Sequence, residues 1–421
     1  MATNNVKIGA DSSRVGLAIK EEVDFAEFPG GPLQEARFTQ ESLAQQTDST
    51  SSSEIRADRQ IPDIIRTGIS ATGGFNAELS YGDAALEMGI RGVLGSPAPF
   101  GAPPPRIGPS DLDAQSSDNT FRAAGLDLSA LAPGDWIRTS GFANAANNGF
   151  FQVIAVDAAD PAANFITVEG GALKDEMGDG DESIQGSAVI RNGVADCAYS
   201  FAKQFNDLNG GAGLEARILG YRFGSTTIDL NPRSIVTVQF TGQGVRLADT
   251  ANSDFSDSNA VLDFTGMSAL TAASANEVMQ TTSGIAGLIL NRADPIAATP
   301  QSLSINPTSS LRNQDALQVG LGPAGIAAGQ FSVTGTLAAF FENPKLLREH
   351  LLFNDVDIAV VAKDGAGNAY LFDLPAVRLG GSGTPSAGGN DQDVITSFDI
   401  QAKRSTRAGL DYMFALHKFP A

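Results

Sequence analysis

The stretch ISATGGFNAELSYGDAALEMGIRGVLG, residues 69–95, changes period in its middle. From Ile69 to Tyr81 apolar and polar residues alternate, the signature of a strand with one face covered, and the paired glycines mark a kink. From Gly82 the apolar positions move to helical spacing, so that Leu86, Ile90, Val93 and Leu94 share one face. One strand leading into one amphipathic helix is expected. The phrase recurs at residues 333–355, VTGTLAAFFENPKLLREHLLFND. It again starts near Thr-Gly and runs into a single helix, with Asn343 as N-cap and Pro344 at the first helical position.

The chain beyond each helix is also parallel. AYSFAKQFND…ARILGYRFGSTTIDLNPRSIVTVQFTGQGVRL in the first half faces DIAVVAKDGAGNAYLFDLPAVRLGGSG…QDVITSFDIQAKRS in the second. Each reads as a strand, a Gly/Asn turn, a long strand, a loop near a proline and a closing strand. Two packed β layers flanked by one helix account for each half, and two halves imply duplication. Only the first half is interrupted, by about residues 119–192. There GDWIRTSGF, NNGFFQVIAVD and NFITVEGG are short strands of a small inserted β domain, with Asn147-Asn148-Gly149 expected as a tight turn. Residues 1 to about 66 are polar and read mostly as an arm or loop, with Leu33–Leu43 a candidate strand.

Composition narrows the function. The 421 residues allow two or three domains, and 42% apolar content allows real cores. The 46 glycines favour strands and turns over helices. A net charge of −20 excludes a free basic footprint for nucleic acid. Cys197 is the only cysteine, so there is no disulfide framework and no cysteine-based zinc site. His350 and His417 are the only histidines, and both read as ordinary surface or interface residues. KDEMGDGDESIQG lacks the ligand spacing of a calcium loop. VGLGPAGIAAG, residues 319–329, carries Gly320, Gly322 and Gly325 at G-x-G-x-x-G spacing, with Glu342 about twenty positions on. A strand comes next where a helix would be needed to face a pyrophosphate, so the cradle fails and the glycines read as a loop between strands. No apolar run reaches the ~20 residues of a membrane span, and no signal peptide is evident, so a cytoplasm-like space is expected. No catalytic group, metal or cofactor is expected.

SEIRADRQIPDIIRTGISATGGFNAELSYGDAALEMGI resembles the start of the tail tube (major tail) proteins of long, non-contractile-tailed bacteriophages, the siphophages. NNGFFQV, GYRFGSTTIDLNPRSIVTVQFTGQG, VTGTLAAFFENP, GNAYLFDLP and FDIQAKR resemble the same family, in order. PAPFGAPPP and the connector at 248–275 depart from it. The resemblance implies a mainly β chain of two tube-type β-sandwich domains, each with a flanking helix, plus the insert. The expected division is 1–68, an N-terminal strand and inter-ring arm; 69–110 with 193–247, the first tube domain; 111–192, the insert, outside the tube; 248–300, a connector; and 301–421, the second tube domain. It further implies rings stacked into a hollow tube through which viral DNA passes without binding. A single tube domain closes a ring as a hexamer, so a chain with two closes it as a trimer, with six chains the alternative. The other partners implied are the tape measure protein and tail-end proteins, and the place is the virion tail, assembled in the bacterial host cytoplasm. An acidic secreted or surface β protein binding carbohydrate or calcium is the alternative class. For the arm, the resemblance implies an inter-ring contact made by Glu54, Ile55, Arg56, Asp58, Arg59, Ile61, Asp63, Ile64, Ile65 and Arg66. A solvated loop is the plain alternative.

Overall fold

The opening phrase folds as its two periods dictate. Ile64–Glu78 is a strand that turns Ile69, Ala71, Phe75 and Ala77 into the core. Ala84–Leu94 is a helix that buries Leu86, Ile90, Val93 and Leu94. Asp83 caps it, its Oδ1 accepting the N–H of Ala85 at 3.0 Å and of Leu86 at 3.2 Å, and Gly95 ends it in the left-handed region at φ 60°. Two glycines inside the helix let it sit against aromatic rings. A Cβ at Gly89 would lie 2.7 Å from Phe240, and one at Gly92 would lie 2.7 Å from Phe223.

The computed structural model describes residues 10–11, 14–122, 127–128, 130–157, 164–208, 212–251, 263–282, 284–292, 296–317, 320–385, 390, 393–407 and 409–421. The chain opens with β1 (Val15–Glu21), β2 (Leu33–Glu35), β3 (Gln40–Glu41), β4 (Ala44–Ser51), β5 (Ile64–Glu78) and α1 (Ala84–Leu94). The insert holds β6 (Asp113–Gln115), β7 (Thr120–Arg122), β8 (Trp136–Ser140), β9 (Gly149–Asp157), β10 (Phe165–Glu169) and β11 (Ser183–Gly186). Then come β12 (Ala188–Arg191), β13 (Tyr199–Phe205), β14 (Leu214–Leu230), β15 (Thr237–Gly244), β16 (Arg246–Ala248) and β17 (Leu270–Thr271). The second half runs through β18 (Ile285–Leu290), β19 (Pro300–Gln314), β20 (Gly325–Phe340), α2 (Lys345–Leu351), β21 (Val356–Lys363), β22 (Ala369–Gly380), β23 (Ile395–Ala402) and β24 (Ala415–Phe419). The chain is mainly β, with two α-helices among the described residues.

Strand pairing repeats between the halves. β1–β13, β4–β5, β5–β15, β13–β14, β14–β15 and β14–β16 are antiparallel pairs. Their counterparts β18–β21, β19–β20, β20–β23, β21–β22, β22–β23 and β22–β24 are antiparallel too. Irregularities also recur. The register slips between Asp48 and Ser49 of β4 and between Ser309 and Leu311 of β19. It slips again between Tyr199 and Phe201 of β13 and between Val356 and Ile358 of β21. In matched places Phe75 faces Phe240 and Leu337 faces Phe398. Bulges at equivalent positions are inherited geometry, hard to obtain by chance.

Each half is a sandwich. One layer is β1-β13-β14-β16 or its counterpart. The other joins into a single run of eight strands, β4-β5-β15-β14-β19-β20-β23-β22, because β14 pairs with β19 across the halves from Ser225↔Thr308 to Leu230↔Leu303. β14 serves both layers of the first half, bending where Gly220 has φ 63° and slipping register between Phe223 and Ser225. Between the layers Phe75, Phe201, Tyr221, Phe223 and Phe240 pack mostly edge to face, with centroids 4.9–6.4 Å apart.

The insert has its own six-stranded sheet, β11-β8-β9-β10-β7-β6, and its own core around Phe121, Ile137, Phe151 and Ile166. Trp136 packs on Ala359, Val361, Ala369, Leu371 and Phe419. Those residues alternate with Ile358, Val360, Tyr370 and Phe372, which point into the sandwich. The insert therefore rests on the far side of the layer formed by β21, β22 and β24. β12, at the end of that stretch, leaves it and pairs with β24.

Some local expectations change. Within the polar N-terminal segment, β1 pairs along its whole length with β13 and buries Leu17 and Ile19. Leu33–Leu43 is not one strand but β2 and β3, parted by Ala36–Thr39. Asn147-Asn148-Gly149 is not a two-residue turn, since β8 and β9 are joined by residues 141–148. Asn148 instead clasps Phe142, accepting its N–H at 3.0 Å and donating to its carbonyl at 2.6 Å, and buried Asn147 donates to Glu176 at 2.6 Å. α2 starts at Lys345, with Pro344 before it. Asn343 Oδ1 accepts the Lys345 N–H at 3.0 Å, so it still binds the first turn. Part of the 248–275 connector, residues 252–262, lies outside the described residues.

Candidate functional site

The strand period decides what the eight-strand run shows on its side away from the core. β15 presents Thr237, Gln239, Thr241 and Gln243, while Val238 and Phe240 are buried. β20 presents Ser332, Thr334 and Thr336, and β23 presents Ser397, Asp399 and Gln401. β5, β14 and β19 continue the face with Thr72 and Asn76, Thr227 and Asp229, and Ser304 and Asn306. Threonine suits such a face, since its branched Cβ favours strands and its hydroxyl reaches across them, as Ser225 Oγ and Thr241 Oγ1 do at 2.7 Å.

Cross-strand register sets Glu78, Thr237, Asp229, Ser304, Thr336 and Asp399 in one row. Three of the six are carboxylates. Asp48, opposite Gly68, adds a fourth near the base of the arm. Three cations beside this face are paired. Arg378 Nε lies 2.5 Å from Asp355 and its guanidinium stacks on Phe353, and Lys403 Nζ lies 2.7 Å from Asp355. Arg222 is held by Asp196 and by the Ile326 carbonyl. The face is thus wide, hydroxyl-rich and acidic. The sequence did not announce it, because Ser, Thr and Asn in alternate positions read equally well as turn residues.

The arm residues lie at and beyond the end of β4 and at the start of β5. Ile64, Ile65 and Arg66 are in β5, opposite Ser51, Thr50 and Ser49. Glu54, Ile55, Arg56, Asp58, Arg59, Ile61 and Asp63 form the connection between those strands. Ile55 is 99% exposed, and Ile61, Ile64 and Ile65 are 56–65% exposed. Arg56 binds Asp58 at 3.1–3.2 Å and holds the Asp58 carboxyl below its ordinary pKa. Asp63 Oδ1 accepts the Ile64 N–H at 2.8 Å. Four isoleucines so exposed on one projection form an unusual apolar surface. The matched hairpin, β19–β20, behaves otherwise. Its tip holds Gly320 and Gly322, and Leu321 O accepts the Ile69 N–H at 2.9 Å, so it lies against the first half.

The two histidines make local contacts, one to a backbone carbonyl and one to a serine in the buried interior. His350 Nδ1 lies 2.9 Å from the Leu379 carbonyl. His417 is not on the surface: it is fully buried in β24, its Nδ1 is 2.9 Å from Ser187 Oγ, and burial pushes its pKa down to about 3. Next to it lies a buried ionic cluster. Arg292 meets Asp357 at 3.0 Å and Asp373 at 3.1 Å, and Asp373 also accepts from Trp136 Nε1 at 3.0 Å and Tyr412 OH at 2.6 Å. Each charge there has a partner, which reads as a tie between insert and second half rather than as chemistry. In the acidic stretch of the insert, Glu182 accepts the N–H groups of Asp179 and Gly180 at 2.9 and 3.1 Å, a loop clasp. Among the described residues no group of three His, Cys, Asp or Glu side chains is placed to hold a metal, and no helix is long and apolar enough to cross a membrane.

The model of the phage tail tube protein family matches residues 12–402 of the 421. No curated protein matches the chain. The match covers nearly the whole sequence, insert included, and the chain belongs to the phage tail tube protein family.

Proposed function

We propose that this tail tube family member assembles into stacked rings whose inner wall is the eight-strand run, its polar face lining the channel that viral DNA crosses. The observation that carries the reading is that face: it spans both halves, is rich in hydroxyl and amide groups, and bears carboxylates in one row, with Arg378, Lys403 and Arg222 beside it each paired to a carboxylate. A phosphate backbone meeting it finds repulsion and no sites at which to release counterions, so it slides. Closing the run into a barrel removes the two sheet edges that one chain leaves open. Because the halves repeat each other, three chains supply six matched sectors, giving a trimeric ring with pseudo-sixfold symmetry.

The arm is the stacking contact in this reading. Its isoleucines bury against the next ring while Glu54, Arg56, Asp58, Arg59, Asp63 and Arg66 fix the register. The insert decorates the outside, which agrees with its seat on the layer turned away from the polar face. The protein acts as a structural part of the virion tail of a long-tailed phage, without catalysis, alongside tape measure and tail-end proteins. Electron microscopy of concentrated purified protein tests the reading and is expected to show hollow tubes. A released ring should weigh about 131 kDa, for three copies of the 43.6 kDa chain, and a ring of about 262 kDa would mean six. Monodisperse monomers at every concentration overturn the proposal.

A further inference from the structure

We infer that the open edge beyond β22, Gly381–Pro385, receives β4 of a second copy of this chain in the register that β14 and β19 already display within one chain. The inference rests on the ring reading and names the seam that closes it. Its template is the internal junction, where Ser225 faces Thr308 and Ile228 faces Ile305. The duplicated register carries that junction over to the two free edges. Ser225 lies opposite Thr241 as Gly380 lies opposite Asp399. Ala44 lies opposite Thr72 as Asn306 lies opposite Thr334. Counting along the strands sets Gln46 of the second copy opposite Gly380, and its Leu43 opposite Gly383.

Both edges are in a state that fits. Gly381–Pro385 have no strand partner among the described residues, yet Gly383 is already buried, and a Cβ there would lie 2.7 Å from both Phe398 and His350. The segment is thus held beside β23 with its other side open. At the edge of β4, side chains occupy the backbone groups that a neighbouring strand would use. Glu41 accepts the Leu43 N–H at 2.9 Å, and Lys203 Nζ donates to the Leu43 carbonyl at 3.1 Å. Charged side chains are a common guard on a free edge. At the matched place in the second half, Ile305 has β14 itself beside it.

The helices give an independent sign. α1 packs against β19, the strand contributed by the other half. α2 has no such strand over it among the described residues, and Leu351, Leu352 and Phe353 are 71%, 55% and 63% exposed. A second copy seated in the matched register brings its β4 to α2 as β19 comes to α1, and covers that patch.

Paired cysteines test the register, the chain's own Cys197 being buried. Tubes of the Gln46→Cys/Gly380→Cys variant, oxidised and run on a denaturing gel, should give covalent dimers and trimers that neither single variant gives. The shifted pair Gln46→Cys/Thr384→Cys should give none, because four residues along a strand exceed disulfide reach. Tubes in which the first pair stays monomeric, or the shifted pair links equally well, overturn the seam while leaving the assembly reading intact. Should the double variant not assemble, hydrogen exchange on the unsubstituted chain decides: amides of 43–46 and 381–384 must slow on assembly, and unchanged exchange in tubes overturns the seam. Failure of the unsubstituted chain to form tubes removes the assembly reading and the seam together.

Discussion

The two halves share every strand pairing that defines them, yet they end differently. In the first, the β4–β5 arm reaches away with its isoleucines bare, and α1 is sealed under β19. In the second, the β19–β20 hairpin lies against its neighbour, and α2 is short, with Leu346 its one buried residue. Duplication gives each half the same needs; one chain can meet them at the internal junction only. In the proposed assembly, what the second half lacks is what a further copy supplies, and what the first half exposes is what a further copy takes. On that reading the difference between the halves is a map of the assembly.

The comparison breaks most visibly at the arms. Deleting Ser51–Asp63 should leave a folded chain, with its far-ultraviolet spectrum kept, that forms no long tubes. Deleting Gly320–Pro323 should leave tubes, because that tip contacts its own chain. Long tubes from the first variant, seen by microscopy, would remove the arm from the stacking contact. Excising the insert between about Thr120 and Asn192, with a short Gly/Ser linker, should spare assembly; loss of tubes from a folded remainder would place the insert in the wall.

Two carboxylates of the second half give the next largest effect. Asp373 in the second half is fully buried between Arg292, Trp136 and Tyr412, whereas Asp355 is an exposed residue paired with Arg378 and Lys403. Asp373→Ala leaves Arg292 short of a partner in a dry site and should cost about 3–5 kcal/mol in a urea titration. Asp355→Ala should cost under about 1 kcal/mol, as surface pairs do. Similar losses for the two would mean that water reaches the Arg292 cluster.

The same region sets a pH dependence of its own. Burial holds His417 neutral, with a pKa of about 3, against 6.5 for the free side chain. The unfolded chain therefore takes up a proton below pH 6.5 that the folded chain refuses, so this group's stabilisation is full above pH 6.5 and is lost as pH falls toward 3. At pH 5 the loss is about 2 kcal/mol, at about 1.4 kcal/mol per unit. His417→Gln should flatten the melting-temperature profile between pH 7 and 5 relative to the unsubstituted chain. Parallel profiles would mean that His417 charges without unfolding the site.

Legibility tracked locality. The strand and helix at 69–95, its echo at 333–355 and the long strands β14, β15 and β22 all show their period within a dozen residues. β1 does not, because VGLAIKE gains its meaning from β13, where Ile19 meets Phe201. The seam of β14 and β19 and the row of Glu78, Asp229 and Asp399 depend on registers between strands far apart in sequence, which no local period encodes. His417 is buried because Trp136 arrives from the insert, and the rings lie with centroids 6.3 Å apart. Asn147 and Asn148 form a broad loop because their side chains find Glu176 and Phe142, partners that a two-residue turn pattern does not anticipate.

The smallest expected effect separates the two helices themselves. Asp83 is buried and accepts two N–H groups at the start of α1, and burial raises its pKa. Asp83→Ala strips a cap from an eleven-residue helix that buries six side chains and a glycine, and should cost about 1 kcal/mol, with Asp83→Asn retaining most of it. Asn343→Ala removes two exposed contacts at the start of the seven-residue α2, the Lys345 N–H to Oδ1 at 3.0 Å and Nδ2 to the Ala297 carbonyl at 2.6 Å, and in the free chain should cost about 0.5 kcal/mol. In tubes the order should narrow, because α2 then lies under a neighbouring strand and its fraying exposes apolar surface that was covered. Urea titrations of the free chain and thermal dissociation of tubes read the two costs separately. Equal costs in the free chain would mean that α2 is already anchored, and the asymmetry between the halves would then need a cause other than the missing second copy.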